Sequence, residues 1–239
     1  MKRRHALLAG LSAFALAPLA TACNIGAGSK AGSATAGPRP PASGPAKGTA
    51  TMEQDGLTLR ARIEAQPDEN ALTLAYRVDN QGAGPAYVYD KLVLHDPERG
   101  QMADAGRAYV YPLPDAGEVL VMKDVPPLPE GLQPTQLAVP LMVRLAPGDA
   151  IEGALRFSLP LRPWREYLNN ELAFPRQDTV EVLRLRIGYA LPPEGAEESS
   201  FAYAGETAFN FRNPPGVRHR QSALELRFET PGLPIFLPE

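Results

Sequence analysis

The sequence predicts an all-β protein: an antiparallel β-sandwich of about ten short strands, reached through a long disordered tether. Three observations carry this. Apolar residues recur at every second position in one run after another, the period of a strand with one dry and one wet face. The 26 Pro and 21 Gly are spread through the 239 residues, which cuts the chain into short segments and disfavours long helices. Turn-forming residues fall between the alternating runs and not inside them.

The chain starts with Lys2, Arg3, Arg4 and His5, followed by an apolar run from Ala6 to Ala20 that only small residues and Pro18 interrupt. Its unbroken part is short for a permanent membrane span. A basic start, an apolar centre and then small residues is the order of a secretory signal peptide, expected over residues 1–22. Ala20-Thr21-Ala22 offers the cleavage site directly before Cys23, the one Cys of the chain. Residues 24–50 hold six Gly, four Pro, three Ser and seven Ala. Such a segment has too little apolar bulk to offset its ordering entropy, so 23–50 is expected to be a disordered linker. As a flexible coil it would span roughly 30 Å.

The domain is expected over 51–239. Leu57, Leu59, Ala61 and Ile63 alternate with Thr58, Arg60, Arg62 and Glu64; Leu72, Leu74, Tyr76 and Val78 alternate with Thr73, Ala75, Arg77 and Asp79. Later, Leu183, Leu185, Ile187 and Tyr189 alternate with Arg184, Arg186 and Gly188, and Leu224, Leu226 and Phe228 with Glu225, Arg227 and Glu229. Further strands are expected at 86–95, 107–112, 118–123, 136–145, 150–159 and 201–211. Asp79-Asn80-Gln81-Gly82 and Pro147-Gly148-Asp149 read as turns. Pro126-Pro127, Pro192-Pro193 and Pro214-Pro215 stiffen loops that cannot join a ladder. The one helical candidate is Trp164–Phe174, bracketed by Pro163 and Pro175. Alternation of wet and dry faces points to antiparallel sheets. A competing layout has two tandem sandwiches divided near residue 128.

Three resemblances follow from these residues. A signal that ends directly before Cys23 resembles that of bacterial lipoproteins. The resemblance implies that Cys23 becomes the mature N-terminus and carries a diacylglyceryl thioether and an N-acyl chain. Several acyl chains would anchor the protein stably, at about 0.8 kcal/mol per buried methylene. That family usually has Leu three places before the Cys; here Ala20 stands there and Leu19 one place further back. Asn24, not Asp, follows the Cys, which implies the outer membrane, facing the periplasm. Arg3-Arg4 followed by Leu7 and Leu8 also resembles a twin-arginine signal, and both export routes stay open. The strand end Val78-Asp79-Asn80 and the turn Leu145-Ala146-Pro147-Gly148 resemble bacterial immunoglobulin-like domains, which implies an immunoglobulin-like sandwich. The domain has no Cys-Trp-Cys signature, because Cys23 lies outside it.

Charge and composition bound the function. The chain has 24 Lys plus Arg against 27 Asp plus Glu, which speaks against a nucleic-acid partner. Beyond residue 50 the balance is more acidic still, because six of the basic residues and none of the acidic ones precede Thr51. One Cys allows no intrachain disulfide and no thiolate-rich zinc site. His95 and His219 have no Ser partner in the sequence, and there is no Gly-x-Ser-x-Gly elbow and no phosphate-binding Gly loop. His95-Asp96 with Glu98 reads as a solvated turn, Arg218-His219-Arg220 as a hydrated loop, and the adjacent Glu197-Glu198 cannot flank a glycosidic bond. No cofactor and no metal is expected, and no catalytic residue. The candidate binding face is Tyr87, Tyr89, Tyr109 and Tyr111, from the recurring Ala-Tyr-Val-Tyr at 86–89 and 108–111. If those strands pair with Val88 and Val110 inward, the tyrosines share an outer face. The expected function is a non-catalytic envelope module, anchored in the membrane by lipid, that binds an envelope protein or a glycan. A hydrolase with an unrecognised site, or an inhibitor or chaperone-like module that caps a partner, are the alternatives.

Overall fold

A computed structural model describes residues 47–134, 137–167, 176–215 and 220–237. The expected signal peptide, Cys23, the linker up to residue 46, His219 and the later part of the helical candidate lie outside the described residues.

In chain order the strands are β1 Lys47–Gln54, β2 Leu57–Gln66, β3 Ala71–Asn80, β4 Ala86–Asp96, β5 Gly100–Asp104, β6 Tyr109–Leu113, β7 Glu118–Lys123, β8 Leu141–Leu145, β9 Ala150–Ser158, β10 Arg176–Leu191, β11 Glu197–Tyr203, β12 Glu206–Arg212 and β13 Arg220–Leu237. The protein is all-β, and its sheets do not close into a barrel. One sheet has the order β1-β2-β3-β9 and is antiparallel throughout. The second runs β5-β4-β10-β7-β6, with β13 also on β10 and β8 also on β4. The hairpin β11–β12 forms a separate two-stranded sheet.

The alternation read from the sequence sets the inner faces. Leu57, Leu59, Ala61 and Ile63 of β2 and Leu72, Leu74, Tyr76 and Val78 of β3 are buried. They share one apolar core with Val119 and Val121 of β7, Leu183, Leu185, Ile187 and Tyr189 of β10, and Leu224, Leu226 and Phe228 of β13. A single core that takes residues from both sides of position 128 excludes the tandem layout. Burial of this apolar area, at about 25 cal/mol per Å², is what holds the two sheets together.

The two turns singled out in the sequence meet in space. The Asn80 Nδ2 donates to the Leu145 carbonyl and to that of Gly84, each at 2.9 Å. The Gly148 amide donates to the Asn80 carbonyl at 2.8 Å, and the Asn80 amide to that of Asp149 at 2.9 Å. Asn80 is thereby buried yet satisfied, which a buried amide requires.

Several expectations are corrected. The first strand begins at Lys47, within the stretch read as linker. The His95–Gly100 turn leads into β5, which alternation did not reveal. The run 201–211 is two strands, because Ala204 (φ 54°) and Gly205 (φ 79°) make a tight hairpin turn. Residues 137–140 precede β8 without strand structure, where Pro134 and Pro140 deny the ladder its donors. The sheets are not purely antiparallel: β7 runs parallel to β10, Val182–Ile187 against Glu118–Lys123. The long connection through β8 and β9 supplies the crossover that parallel neighbours need. Trp164 does not start a helix. It forms an isolated bridge with Val110, and Tyr167 has φ 62°.

Candidate binding groove

Val88 and Val110 do face the core, so the tyrosines of both Ala-Tyr-Val-Tyr motifs point to the outer side. They form no open face. β10 and β7 separate β4 from β6, because β6 pairs with β7 across the Pro114–Gly117 turn. Tyr87, Tyr89 and Tyr109 are buried and Tyr111 is half-buried. The β11–β12 hairpin covers Tyr87, with the rings of Phe211 and Phe209 centred 5.3 and 5.9 Å away. The Tyr87 hydroxyl donates to Glu198, which also takes the Arg144 Nε at 3.1 Å. Tyr89 lies across Gly188, where a Cβ would stand 2.7 Å from its ring. Tyr109 packs on Trp164 at 5.5 Å and on Tyr111 at 6.3 Å. Burial raises the pKa of all four. The face proposed from sequence is thus packing surface. Tyrosine is apolar enough to be covered once a hairpin or a Trp is available to cover it.

A polar cluster that the sequence did not announce bridges the two sheets. The register of β4 against β8 passes from Tyr89–Met142 to Lys91–Leu141, so Asp90 is the extra residue of a bulge. The bulge reverses the alternation: Tyr87 and Leu92 both point outward, and Asp90 points in. There the Tyr76 hydroxyl donates to Asp90 Oδ1 at 2.6 Å. The Lys123 Nζ donates to the Tyr76 hydroxyl, the Asp90 carbonyl and the Ala105 carbonyl, each at 2.6 Å, and lies 3.2 Å from Asp90 Oδ1. Lys123 has no exposed surface. Burial lowers its pKa, while Asp90 pulls the other way; burial followed by Asp90 raises that of Tyr76. With every ammonium proton placed and both charges buried, this cluster pins one sheet to the other.

The accessible concavity lies elsewhere, beside β4, β8 and the hairpin, with a volume of about 700 Å³. Leu94, Met142, Trp164 and Phe209 line its inside. Leu137, Val139 and Phe201 stand on its rim, 53%, 43% and 52% exposed. Its polar members are His95, Gln101, Glu166, Tyr167 and Tyr203. Burial raises the Glu166 pKa against the opposing effect of the Tyr109 hydrogen bond. The Ala138 amide donates to the Tyr167 hydroxyl at 2.5 Å, which ties the proline-rich approach to β8 against the Trp164 segment. Apolar walls with few polar groups suit an apolar ligand part. A second depression, on the outer side of the four-stranded sheet, is ringed by Arg60, Arg62 and Arg77. Asp79, Glu64 and Glu152 already take these cations.

The remaining sequence candidates stay apart. His95 pairs with Gln101 in the β4–β5 hairpin and is exposed; Asp96 Oδ1 accepts the Glu98 and Arg99 amides, which shapes the turn. Glu197 and Glu198 begin β11. Among the described residues no three His, Cys, Asp or Glu side chains converge as metal ligands would. The groove residues escaped the sequence reading because Leu137 and Val139 fell in the strand expected over 136–145 and Phe201 at the start of the one expected over 201–211. The fold and groove define an all-β domain with an apolar recess on its outer side. No known family matches the sequence, and no curated protein or solved structure is significantly similar to it.

Proposed function

We propose that this chain is a lipoprotein of the bacterial cell envelope, held by acylated Cys23 in the outer membrane. Its domain, which we read as an immunoglobulin-like sandwich, is a non-catalytic module that binds a partner facing the periplasm. The observation that carries the binding role is the groove with Leu137, Val139 and Phe201 exposed on its rim. Large apolar side chains grouped around a recess mark interaction sites on soluble domains. Apolar walls favour the side chains of a protein partner over a glycan. The tether expected from the sequence would serve the same role, since a flexible link raises the effective concentration near a fixed partner.

Three experiments test this. Cys23→Ala should move the protein from the membrane to the soluble fraction; retention through a carbonate wash would refute the anchor. A photo-crosslinking residue at position 137 should trap a discrete partner in producing cells, whereas the same residue at Thr51, on the far sheet, should not. Identical products from both positions, or none from 137, would remove the groove from consideration. Turnover in a hydrolase screen that a single Asp or Glu substitution abolishes would overturn the non-catalytic role.

A further inference from the structure

β11 is paired through its backbone along one edge only. Among the described residues its ladder partner is β12, in a two-stranded sheet. Along its other edge, alternate peptide groups point away from β12, as an antiparallel ladder dictates. Other outer strands carry residues that discourage further pairing, Pro231 and Pro234 in β13, Glu152 and Arg156 in β9, Lys47 and Glu53 in β1, while β5 gives its Ala103 amide to the Ala204 carbonyl and β6 bridges Trp164. In β11 the charges are Glu197 and Glu198, both at its first end, and Arg144 and Tyr87 hold Glu198. From Ser199 to Ala202 there is no charge and no proline, every residue is exposed, and the Phe201 ring is 52% exposed.

We propose that a second copy of this chain closes this edge, β11 against β11, antiparallel about a two-fold axis at Ser200. The inference goes beyond the groove reading and does not depend on it. In this register Glu198 faces Ala202 and Ser199 faces Phe201 across the axis, so no acid meets an acid. A parallel in-register pair would set Glu197 and Glu198 against their own copies, and like charges directly opposite destabilise a ladder. Phe201 and its symmetry mate become diagonal neighbours, about 7–8 Å apart, within reach of aromatic rings. Pairing therefore covers the exposed ring as well as the free peptide groups. A two-fold contact of a patch with itself closes at the dimer and does not propagate.

The test is disulfide trapping in the full chain, purified in detergent and mildly oxidised. Ser200→Cys places its two thiols opposite each other. Glu197→Cys places them six residues out of step, about 20 Å apart along the strands and beyond disulfide reach. Ser200→Cys should give a covalent dimer at twice the mass of the monomer, at least about tenfold more than Glu197→Cys or the unaltered chain, which controls for Cys23. Adding Phe201→Asp should remove the dimer with no change in the far-UV spectrum. Adding Leu137→Asp, which alters the groove alone, should leave the yield as it was. No dimer from Ser200→Cys, equal yields at 200 and 197, survival with Phe201→Asp, or loss with Leu137→Asp would each overturn the pairing.

Discussion

Tyr76 of β3 stands directly opposite Gly153 of β9, and its ring occupies the space that any Cβ at 153 would need. The glycine has an ordinary strand conformation, so close approach and not backbone freedom explains it. It lets the Tyr76 ring lean over β9 while the hydroxyl reaches Asp90 and Lys123. Gly153→Ala should therefore displace the ring and cost about 1–3 kcal/mol, the range for an overpacked core. Urea denaturation would show it as a lower midpoint at unchanged slope.

Lys123→Met tests the pin between the sheets. It retains most of the side-chain volume but leaves Asp90 buried without its cation, which costs about 3–5 kcal/mol. Adding Asp90→Asn removes the orphaned charge. The double variant should lose less than the sum of the single losses, because the two groups act as one unit. Additive losses in thermal or urea unfolding would show that the two residues stabilise the fold independently.

Alkaline pH should unfold the domain. Tyr76, Tyr87, Tyr89, Tyr109, Tyr111 and Tyr189 all have pKa values raised above 10.0, mainly by burial. A raised folded pKa means that the native state keeps its proton after the unfolded chain has lost it. The stabilisation is complete below pH 10 and is lost as the pH climbs toward about 12, where Tyr89, Tyr111 and Tyr189 titrate. Lys123, with its pKa lowered, acts in the opposite direction: the native cost of its charge disappears as the pH approaches 10.5. Stability should hold or rise slightly up to pH 10 and then fall. An unfolding midpoint at pH 11 equal to that at pH 9 would contradict this.

Tyr87→Ala should loosen the hairpin without unfolding the two larger sheets. Phe209 and Phe211 rest on that ring, while the Arg144–Glu198 pair is open to solvent, which screens it. Loss of about 3 kcal/mol of packing corresponds to roughly 100-fold faster amide exchange in β11 and β12. The amides of β2 and β3 should keep their protection, so hydrogen exchange separates a detached hairpin from global loss of stability.

The strands were legible wherever one face is wet. Leu57 to Ile63, Leu72 to Val78 and Leu183 to Tyr189 show their burial as alternation, and Val88 and Val110 point inward as their neighbours' pattern requires. β1 was hidden because its Gly48, Ala50 and Met52 are a weak apolar set against the Gly- and Ala-rich stretch before them. β5 was hidden because it is short and partly exposed on both faces. The groove was not legible at all. Leu137, Val139 and Phe201 come from separate segments, and apolar residues outside the core look in sequence like those within it.

The sequence by itself determined the class of the fold, most strand positions and the inward face of each, because a period of two is a local property of the backbone. It also marked Asn80 and Pro147-Gly148 as turns, since these depend on the residues' own conformational preferences. Tertiary structure decided which strands are neighbours. Backbone donors and acceptors are alike at every residue, so nothing local tells β7 to run parallel to β10 or keeps β4 from β6. It also decided the fate of the outward side chains. The bulge at Asp90 turned Leu92 outward onto Tyr109 and Met122, and a hairpin distant in sequence covered Tyr87. Outward means toward solvent only until another part of the chain packs there.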